Sequence, residues 1–309
     1  MSANALGIFS IVGAMMLISL QDAMVKQFSA DYALHEIMVV RAGVALTLML
    51  LFLAGIRQLR QLRTRNFPFL FARGLCLVVA NTCFFMGLAA LPLADNVAVF
   101  FVAPLLITAF SALLLGEPVG PRRWTGVVVG LVGVLAIVRP GADVFQIATA
   151  FPIMAALSYA TMQILARRMG AVESTSTMVV YVQLTLMLIS ACVGLIAGDG
   201  RFGGSDNISL AFALRAWATP DLTDLSLWVA MGALSAVGTF LMTQGYRVAN
   251  AAVIAPFEYV AMPFALLWGY WLYAEVPSAN TLFGIVLIVA SGIYVAHREL
   301  VVRRRKGSQ

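Results

Sequence analysis

The sequence is poor in charge and in the side chains that enzymes use for chemistry. Only 11% of its 309 residues are charged and only two are histidines, whereas about 25% of a soluble domain is charged. The sequence also lacks a GxxxxGKS/T loop for ATP phosphates and any HExxH or GxSxG motif. We therefore expect neither an ATP-driven pump nor a hydrolase. The chain is predicted not to be an enzyme and to need no cofactor.

Cysteine is scarce as well. Cys76, Cys83 and Cys192 lie within apolar runs, without a CxxC pair or a Cys/His cluster, which indicates packing roles and predicts no metal site. The net charge is +6, but the basic residues are spread over short connections between apolar runs rather than gathered in one patch. Nucleic acid is therefore not expected as a partner.

Apolar residues dominate what remains. They make up 61% of the chain, enough for roughly nine or ten membrane spans of about 20 residues. The sequence predicts an all-α polytopic membrane protein with ten transmembrane helices, here called segments 1 to 10. Their predicted ranges are 5–24, 34–55, 68–91, 95–115, 122–138, 147–166, 176–197, 226–247, 251–274 and 279–296. The longest connection, 198–225, includes a stretch at 208–217 that is expected to lie flat on the membrane.

The distribution of Lys and Arg predicts the orientation. With the N-terminus in the cytoplasm, 14 of the 20 basic residues fall on the cytoplasmic side and four on the opposite side, while Arg41 and Arg73 lie within segments. Cytoplasmic loops are enriched in basic residues. Both termini are therefore predicted to be cytoplasmic, with the basic tail as an anchor.

The two halves of the chain resemble each other. At a shift of 158 residues, 100–126 aligns with 258–284, Gly87 meets Gly245, and the stretch at 38–40 recurs later as Met-Val-Val. Internal repeats of this length are a feature of secondary transporters.

Each half contains five segments, and an odd number turns the second copy upside down. The predicted repeats are residues 1–140, with segments 1 to 5, and residues 141–309, with segments 6 to 10 and the tail. Glu117 then ends segment 4 on the inner side, while its counterpart Glu275 ends segment 9 on the outer side. In such inverted repeats the substrate site lies near the bilayer midplane between the halves.

The run ADNVAVFFVAPLLITAFSALLLGEPVG and its second-half counterpart APFEYVAMPFALLWGYWLYAEVPSANTLFG resemble the drug/metabolite transporter superfamily, and specifically its ten-helix EamA-type members. The resemblance covers nearly the whole chain. It implies two EamA repeats in a bacterial inner membrane. It also implies a central cavity lined by segments 1, 3, 4, 6, 8 and 9.

Charge inside the membrane is costly and often functional. Glu258 lies about 10 Å into segment 9 and is interpreted either as a protonatable carboxylate facing the cavity or as a structural partner of an arginine. Asp22 suits either an outward gate or an i,i+4 ion pair with Lys26. Arg41 is assigned to coupling or to holding the fold, and Asp95 to capping segment 4. Glu258, Asp22 and Arg41 are the predicted coupling and gating residues.

Polar and aromatic residues within the cavity-lining segments form the predicted pocket. Small solutes are usually held by apolar walls carrying a few hydrogen-bonding groups, although Asn, Gln and Tyr also join helices to one another. The predicted substrate-binding residues are Asn81, Phe85, Phe101, Tyr159, Gln163, Gln244, Glu258 and Tyr259.

Together these features predict a secondary-active transporter that moves a small organic metabolite by alternating access, driven by the solute gradient or by coupled protons. A zwitterionic or cationic metabolite is favoured by the mixed acidic and aromatic pocket. The alternatives are an exporter of drugs or surplus metabolites, and a facilitative exchanger or channel. The GxxxG at Gly126 and Gly130 suits helix packing or a homodimer contact.

Overall fold

A computed structural model describes residues 3–115, 121–138, 147–169, 173–248 and 255–307. Within these ranges the regular structure is helical and contains no strand. The helices are α1 (Ala3–Phe28), α2 (Leu34–Gly55), α3 (Phe67–Ala90), α4 (Leu93–Phe100), α5 (Ala103–Leu115), α6 (Pro121–Val138), α7 (Ala150–Met169), α8 (Thr175–Ala197), α9 (Ile208–Leu214), α10 (Leu222–Val248), α11 (Ala261–Tyr273) and α12 (Ala279–Gly307). Short 3₁₀-helices occupy Leu59–Leu62, Ile147–Thr149 and Ala255–Val260.

The helices are apolar and long enough for a membrane. Six stretches of the described chain are candidate spans by length and composition, and further apolar helices of 10–17 residues cover Trp124–Val138, Ala150–Leu165 and Ala279–Ser291. The expected all-α polytopic membrane fold is confirmed. The count of ten spans and the repeat boundaries at 140 and 141 remain predictions.

Most predicted segments coincide with single helices, but segments 4 and 9 do not. Segment 4 is divided into α4 and α5, and the described part of segment 9 comprises the 3₁₀-helix Ala255–Val260 followed by α11. The start of segment 9 at 251 and the Glu117 end of segment 4 lie outside the described residues. The last helix continues to Gly307, beyond the predicted end at 296.

The helices pair in a regular pattern. Helices of the first half correspond in order to helices of the second: α1 to α7, α2 to α8, α3 to α10, and α5 to α11. The contact of α1 with α10 then matches that of α7 with α3, and the contact of α2 with α10 matches that of α8 with α3. The contact of α5 with α7 likewise matches that of α11 with α1. The pairs α2 with α8, α6 with α12, and α4 with α11 complete the bundle.

Glycines allow the closest of these approaches. A Cβ on Gly74 would lie within 3 Å of Thr185 on α8, and one on Gly232 within 3 Å of Val44 on α2. Gly74 and Gly232 stand 158 positions apart, which is the shift that also relates Gly87 to Gly245. Small residues at helix interfaces let backbones come close in a membrane, so these glycines set the spacing of the pairs.

The connection after α8 contains the short helix α9, within the stretch expected to lie on the membrane. The Asn207 side chain caps α9 by accepting hydrogen bonds from the amides of Ser209 and Leu210. Ser209 Oγ in turn donates to the Met86 carbonyl at 2.7 Å, and Phe212 is fully buried. Helix α9 is therefore tied to the end of α3.

Enlarging a glycine at the contact of α6 with α12 is expected to destabilise the protein. A Cβ on Gly284 would lie 2.7 Å from the Gly133 carbonyl oxygen, whereas one on Gly55 would meet nothing within 4 Å. Overpacking typically costs about 1–3 kcal/mol. Gly284→Ala should therefore lower the thermal unfolding midpoint in detergent, and the control Gly55→Ala should leave it unchanged. Equal midpoints for the two variants would contradict the close contact.

Candidate functional site

Segment 4 is interrupted at Phe101 and Val102, between α4 and α5. Pro104 has no N–H to donate to the Phe100 carbonyl, and proline inside a helix weakens the i→i−4 ladder for this reason. The interruption lies eight residues from Leu93, a rise of about 12 Å. In a hydrocarbon core about 30 Å thick, this is close to the middle.

Segment 9 departs from α-helical geometry at the corresponding place. The 3₁₀-helix Ala255–Val260 precedes α11, and Pro263 has no N–H to donate to the Tyr259 carbonyl. Phe101 and Tyr259 are equivalent at the 158-residue shift. Their ring centroids are 5.5 Å apart, with the planes inclined at 42°. The two irregular stretches therefore meet, and the two aromatic side chains are in contact.

An aromatic cluster extends from this contact across four elements. The Phe100 ring lies 6.0 Å from Phe101 and 5.4 Å from Tyr159 on α7. It also lies 5.1 Å from Phe84, which is 5.4 Å from Phe85 on α3. These separations and their edge-to-face geometry are favourable for aromatic pairs. The cluster thus joins α3, α4, α7 and the 3₁₀-helix.

Polar groups border the cluster on the second-half side. A side-chain hydrogen bond joins Gln163 to Tyr159, and Glu258 is close enough to act electrostatically on both Tyr159 and Tyr259. The Glu258 side chain is 8% exposed. The Tyr259 hydroxyl is buried and has no hydrogen-bond partner among the described residues. A carboxylate, an amide and two phenols therefore lie beside apolar rings.

Asp22 and Arg41 lie at the other end of the cluster. The Arg41 guanidinium carbon is 5.3 Å from the centroid of the Phe85 ring, and Arg41 and Asp22 interact electrostatically. Arg41 is 4% exposed. The expected i,i+4 ion pair of Asp22 with Lys26 is wrong, because Lys26 pairs with Glu275 instead.

The remaining two predicted pocket residues are less closely connected. Asn81 is half-buried on α3, on the face that carries Phe85 one turn later, and Gln244 is half-buried on α10. No described contact joins either side chain to the aromatic cluster. Their assignment to the pocket stays a prediction.

Lys26 and Glu275 form a polar junction at one end of the bundle. Lys26 Nζ donates to Glu275 Oε1 at 2.5 Å and to the Leu91 carbonyl at 2.7 Å. Glu275 Oε2 accepts from the Leu93 amide at 2.8 Å. Glu275 thus satisfies the first amide of α4, whose N-cap residue is Pro92. Asp95, which the sequence suggested as the cap, lies within the first turn of α4 rather than at its N-cap position.

The neighbouring Tyr273 strengthens the same junction. Its hydroxyl donates to the Ala23 carbonyl at 2.5 Å, and Lys26 Nζ lies 5.3 Å from the centroid of its ring. The Lys26–Glu275 junction, together with Tyr273, therefore holds the ends of α1, α3, α4 and α11 together.

Sequence reasoning missed Asn96 as well as this junction. Asn96 is fully buried, and its Nδ2 donates to the Phe84 carbonyl at 3.2 Å. A Cβ on Gly87 would collide with the Asn96 amide, so the glycine makes room for it. The sequence did contain a signal: an asparagine within the apolar run of segment 4 indicates a buried polar contact. Its partner, the Phe84 carbonyl, is known only from the structure.

The arrangement has the composition of a binding site. Among the described residues, no group of three or more His, Cys, Asp or Glu could hold a metal ion. What the structure assembles is apolar aromatic surface with a few convergent polar groups, the usual composition of a small-molecule pocket.

Comparisons with known proteins agree with this interpretation. Residues 5–139 match the EamA-like transporter family. A riboflavin transporter of Vibrio cholerae is 29% identical over 271 residues, spanning 86% of this chain and 84% of that protein. An S-adenosylmethionine uptake transporter of Rickettsia prowazekii is 25% identical over 227 residues, 74% of this chain and 71% of that one. A pseudopaline exporter of Pseudomonas aeruginosa is 27% identical over 290 residues, covering 93% and 94%.

A solved crystal structure shares the fold over 98% of both chains, with a TM-score of 0.65 and 19% identity. The described helices form a multi-pass membrane bundle, and these relatives are named as transporters. The family match covers the first half of the chain, and the relatives that align over most of its length are named as transporters, in agreement with the resemblance to EamA-type members described above.

Breaking the Lys26–Glu275 junction is expected to destabilise the protein. The two side chains are only 13% and 23% exposed, and a hydrogen bond to a charged group contributes about 1.5–3 kcal/mol. Lys26→Met should lower the free energy of unfolding by about 2 kcal/mol, measured by denaturant titration in micelles. The matched control is Asp199→Asn, because Asp199 pairs with Arg201 at 3.2 Å with both side chains more than half exposed. Exposed pairs contribute about 0–1 kcal/mol, so similar losses for both variants would contradict the assignment.

Proposed function

We propose that this protein is a secondary-active transporter that carries a small organic metabolite across a bacterial inner membrane by alternating access. Its two halves are inverted repeats of five helices, with both termini in the cytoplasm. The substrate site lies where the interruption of segment 4 meets that of segment 9.

The contact of Phe101 with Tyr259 is the observation that carries this proposal. Interrupted helices at corresponding positions of two repeats mark the substrate site in many transporters. Irregular backbone is tolerated at membrane depth only where protein or a water-filled cavity surrounds it. The interruption at Phe101 lies beside Phe100 and Tyr159, and the one at Tyr259 lies beside Glu258. Both irregular stretches therefore face polar and aromatic side chains.

Helix pairing supports the inverted repeat. If segments 1 to 5 correspond to segments 6 to 10, then α1, α2 and α3 correspond to α7, α8 and α10. A twofold rotation that exchanges the halves then places the α1–α10 pair on the α7–α3 pair, and the α2–α10 pair on the α8–α3 pair. The observed contacts have this pattern. Gly74 and Gly232 lie at equivalent places in two of these interfaces.

The Lys26–Glu275 junction supports alternating access. It joins the ends of three segments that line the proposed cavity, namely 1, 4 and 9. With those ends held together, the cavity is closed on that side, which is the outer side in the proposed orientation. Opening toward that side requires Lys26 and Glu275 to separate.

The pocket favours a substrate with a flat conjugated part and a cationic or zwitterionic group. Aromatic rings stack on conjugated surfaces, and Glu258 complements positive charge. Riboflavin and S-adenosylmethionine, named for two relatives, both have a fused heterocycle and are suitable probes. Export is the second candidate direction, because the pseudopaline exporter matches this chain over 93% of its length.

Glu258 is proposed to couple transport to protons. In proteoliposomes supplied with external riboflavin or S-adenosylmethionine as the probe, Glu258→Gln should abolish the pH dependence of uptake and lower its rate at least tenfold. The physical reason is that an amide cannot exchange a proton in this pH range. Asp206→Asn, at an exposed carboxylate in the connection after α8, is the control. Normal rate and pH dependence in Glu258→Gln would exclude Glu258 from coupling.

Replacing either ring of the central contact is expected to weaken substrate binding. Loss of one aromatic contact removes about 0.5–1.5 kcal/mol beyond the buried area, so Phe101→Leu and Tyr259→Leu should each raise the KM for the transported probe about tenfold. Phe202→Leu, at an exposed ring, should leave KM unchanged. An unchanged KM in both central variants, with normal protein levels, would place the pocket elsewhere.

A further inference from the structure

A groove separate from the central contact lies at the end of the bundle near α9. It encloses a cavity of about 350 Å³ between the first turns of α2, the connection after α9, and the start of α10. Its principal lining residues are Glu36, Val39, Val40, Trp217, Thr219 and Trp228. The groove is open on one side. Neither its position nor its residues belong to the substrate site proposed above.

The groove presents a buried carboxylate on an otherwise apolar wall. Glu36 is 6% exposed, and it is the only charged side chain among the described lining residues. Its Oε2 accepts from the Ala218 amide at 3.3 Å, and the carboxylate also accepts a backbone hydrogen bond from Ala33. A carboxylate offers about four lone-pair sites, so Glu36 retains acceptor capacity. A ligand with an N–H donor is therefore expected here.

Neighbouring side chains fix this geometry. Trp217 stacks on His35 with the ring centroids 6.0 Å apart. Trp228 packs against Tyr32 at 4.8 Å, and the Tyr32 hydroxyl donates to Asp224 Oδ2 at 2.5 Å. The hydrogen bond to that carboxylate raises the pKa of Tyr32 to about 12, because it stabilises the protonated phenol that donates it. The walls of the groove are therefore preorganised.

Apolar side chains continue from the groove along the seam between α2 and α10. Leu48, Phe52, Val237 and Phe240 are exposed large hydrophobics on these two helices. Phe52 and Phe240 are in contact, with centroids 5.5 Å apart. In a membrane this seam faces lipid tails. The groove therefore lies where a headgroup would sit above an acyl chain that follows the seam.

We propose that the groove binds a zwitterionic phospholipid whose headgroup ends in a primary ammonium, as in phosphatidylethanolamine. The ammonium donates hydrogen bonds to Glu36, and the apolar wall formed by Trp217 and Trp228 packs against the start of the acyl chains. An anionic glycerol headgroup brings no cation to Glu36. A choline headgroup has no N–H to donate. The carboxylate therefore selects the primary ammonium.

The test is native mass spectrometry of the full chain titrated with dioleoyl lipids that carry ethanolamine, choline or glycerol headgroups. The ethanolamine lipid is expected to bind most tightly. Because a hydrogen bond to a charged group is lost, Glu36→Gln should weaken that binding about tenfold and leave the other two lipids unchanged. Asp199→Asn, at an exposed carboxylate in the connection between α8 and α9, should change none of the three affinities.

A second variant keeps the proposal testable if Glu36→Gln does not fold. Val40→Phe, which fills the groove and keeps the carboxylate of Glu36, should also reduce ethanolamine-lipid binding selectively. Equal binding of the three lipids by the unmodified chain would overturn the proposal, as would selectivity that survives both variants. Flux of riboflavin or S-adenosylmethionine through the central site is a separate measurement, so either conclusion can fail alone.

Discussion

In hydrocarbon, every backbone N–H and C=O must find its partner inside the protein, and this requirement governs the whole bundle. Regular helices satisfy it without help. The two exceptions, at Phe101–Val102 and at Ala255–Val260, need surrounding protein or water to be stable. Because both exceptions follow from prolines near the starts of α5 and α11, the sequence itself directs two irregular stretches to the same place. The aromatic cluster is packed around them.

The same constraint explains where charge is found. Lys26 and Glu275 satisfy each other and also the backbone groups of Leu91 and Leu93, which end α3 and begin α4. Arg73, inside α3, donates to the Met178 carbonyl on α8. Intramembrane charge in this chain thus often completes the hydrogen bonding of a neighbouring helix. Glu258 lies close to the phenols of Tyr159 and Tyr259.

Much of the bundle could be predicted from the sequence, because apolar runs of about 20 residues determine spans almost directly. Segment 2 was predicted at 34–55, and α2 covers Leu34–Gly55. The equivalence of Phe101 and Tyr259 followed from the repeat, and the two rings do meet. Partners distant in sequence were not predictable in this way. Lys26 had a plausible partner in Asp22 four residues away, and only the packing of α1 on α11 brings Glu275, 249 residues away, within reach.

The residues that set the spacing of the helices are different from those that form the proposed pocket. Glycine contacts such as Gly74 with Thr185, and Gly133 with Gly284, fix the spacing of helices through backbone approach, which no change of pocket side chain disturbs. The central contact, by contrast, is made of side chains projecting from stretches that are already irregular. In the proposed site, substituting Tyr159, Gln163 or Tyr259 would alter shape and hydrogen bonding without altering the spacing of the helices. Under that proposal, relatives named for different cargo, such as a riboflavin transporter and a pseudopaline exporter, are expected to differ at such side chains rather than at the interfaces between helices.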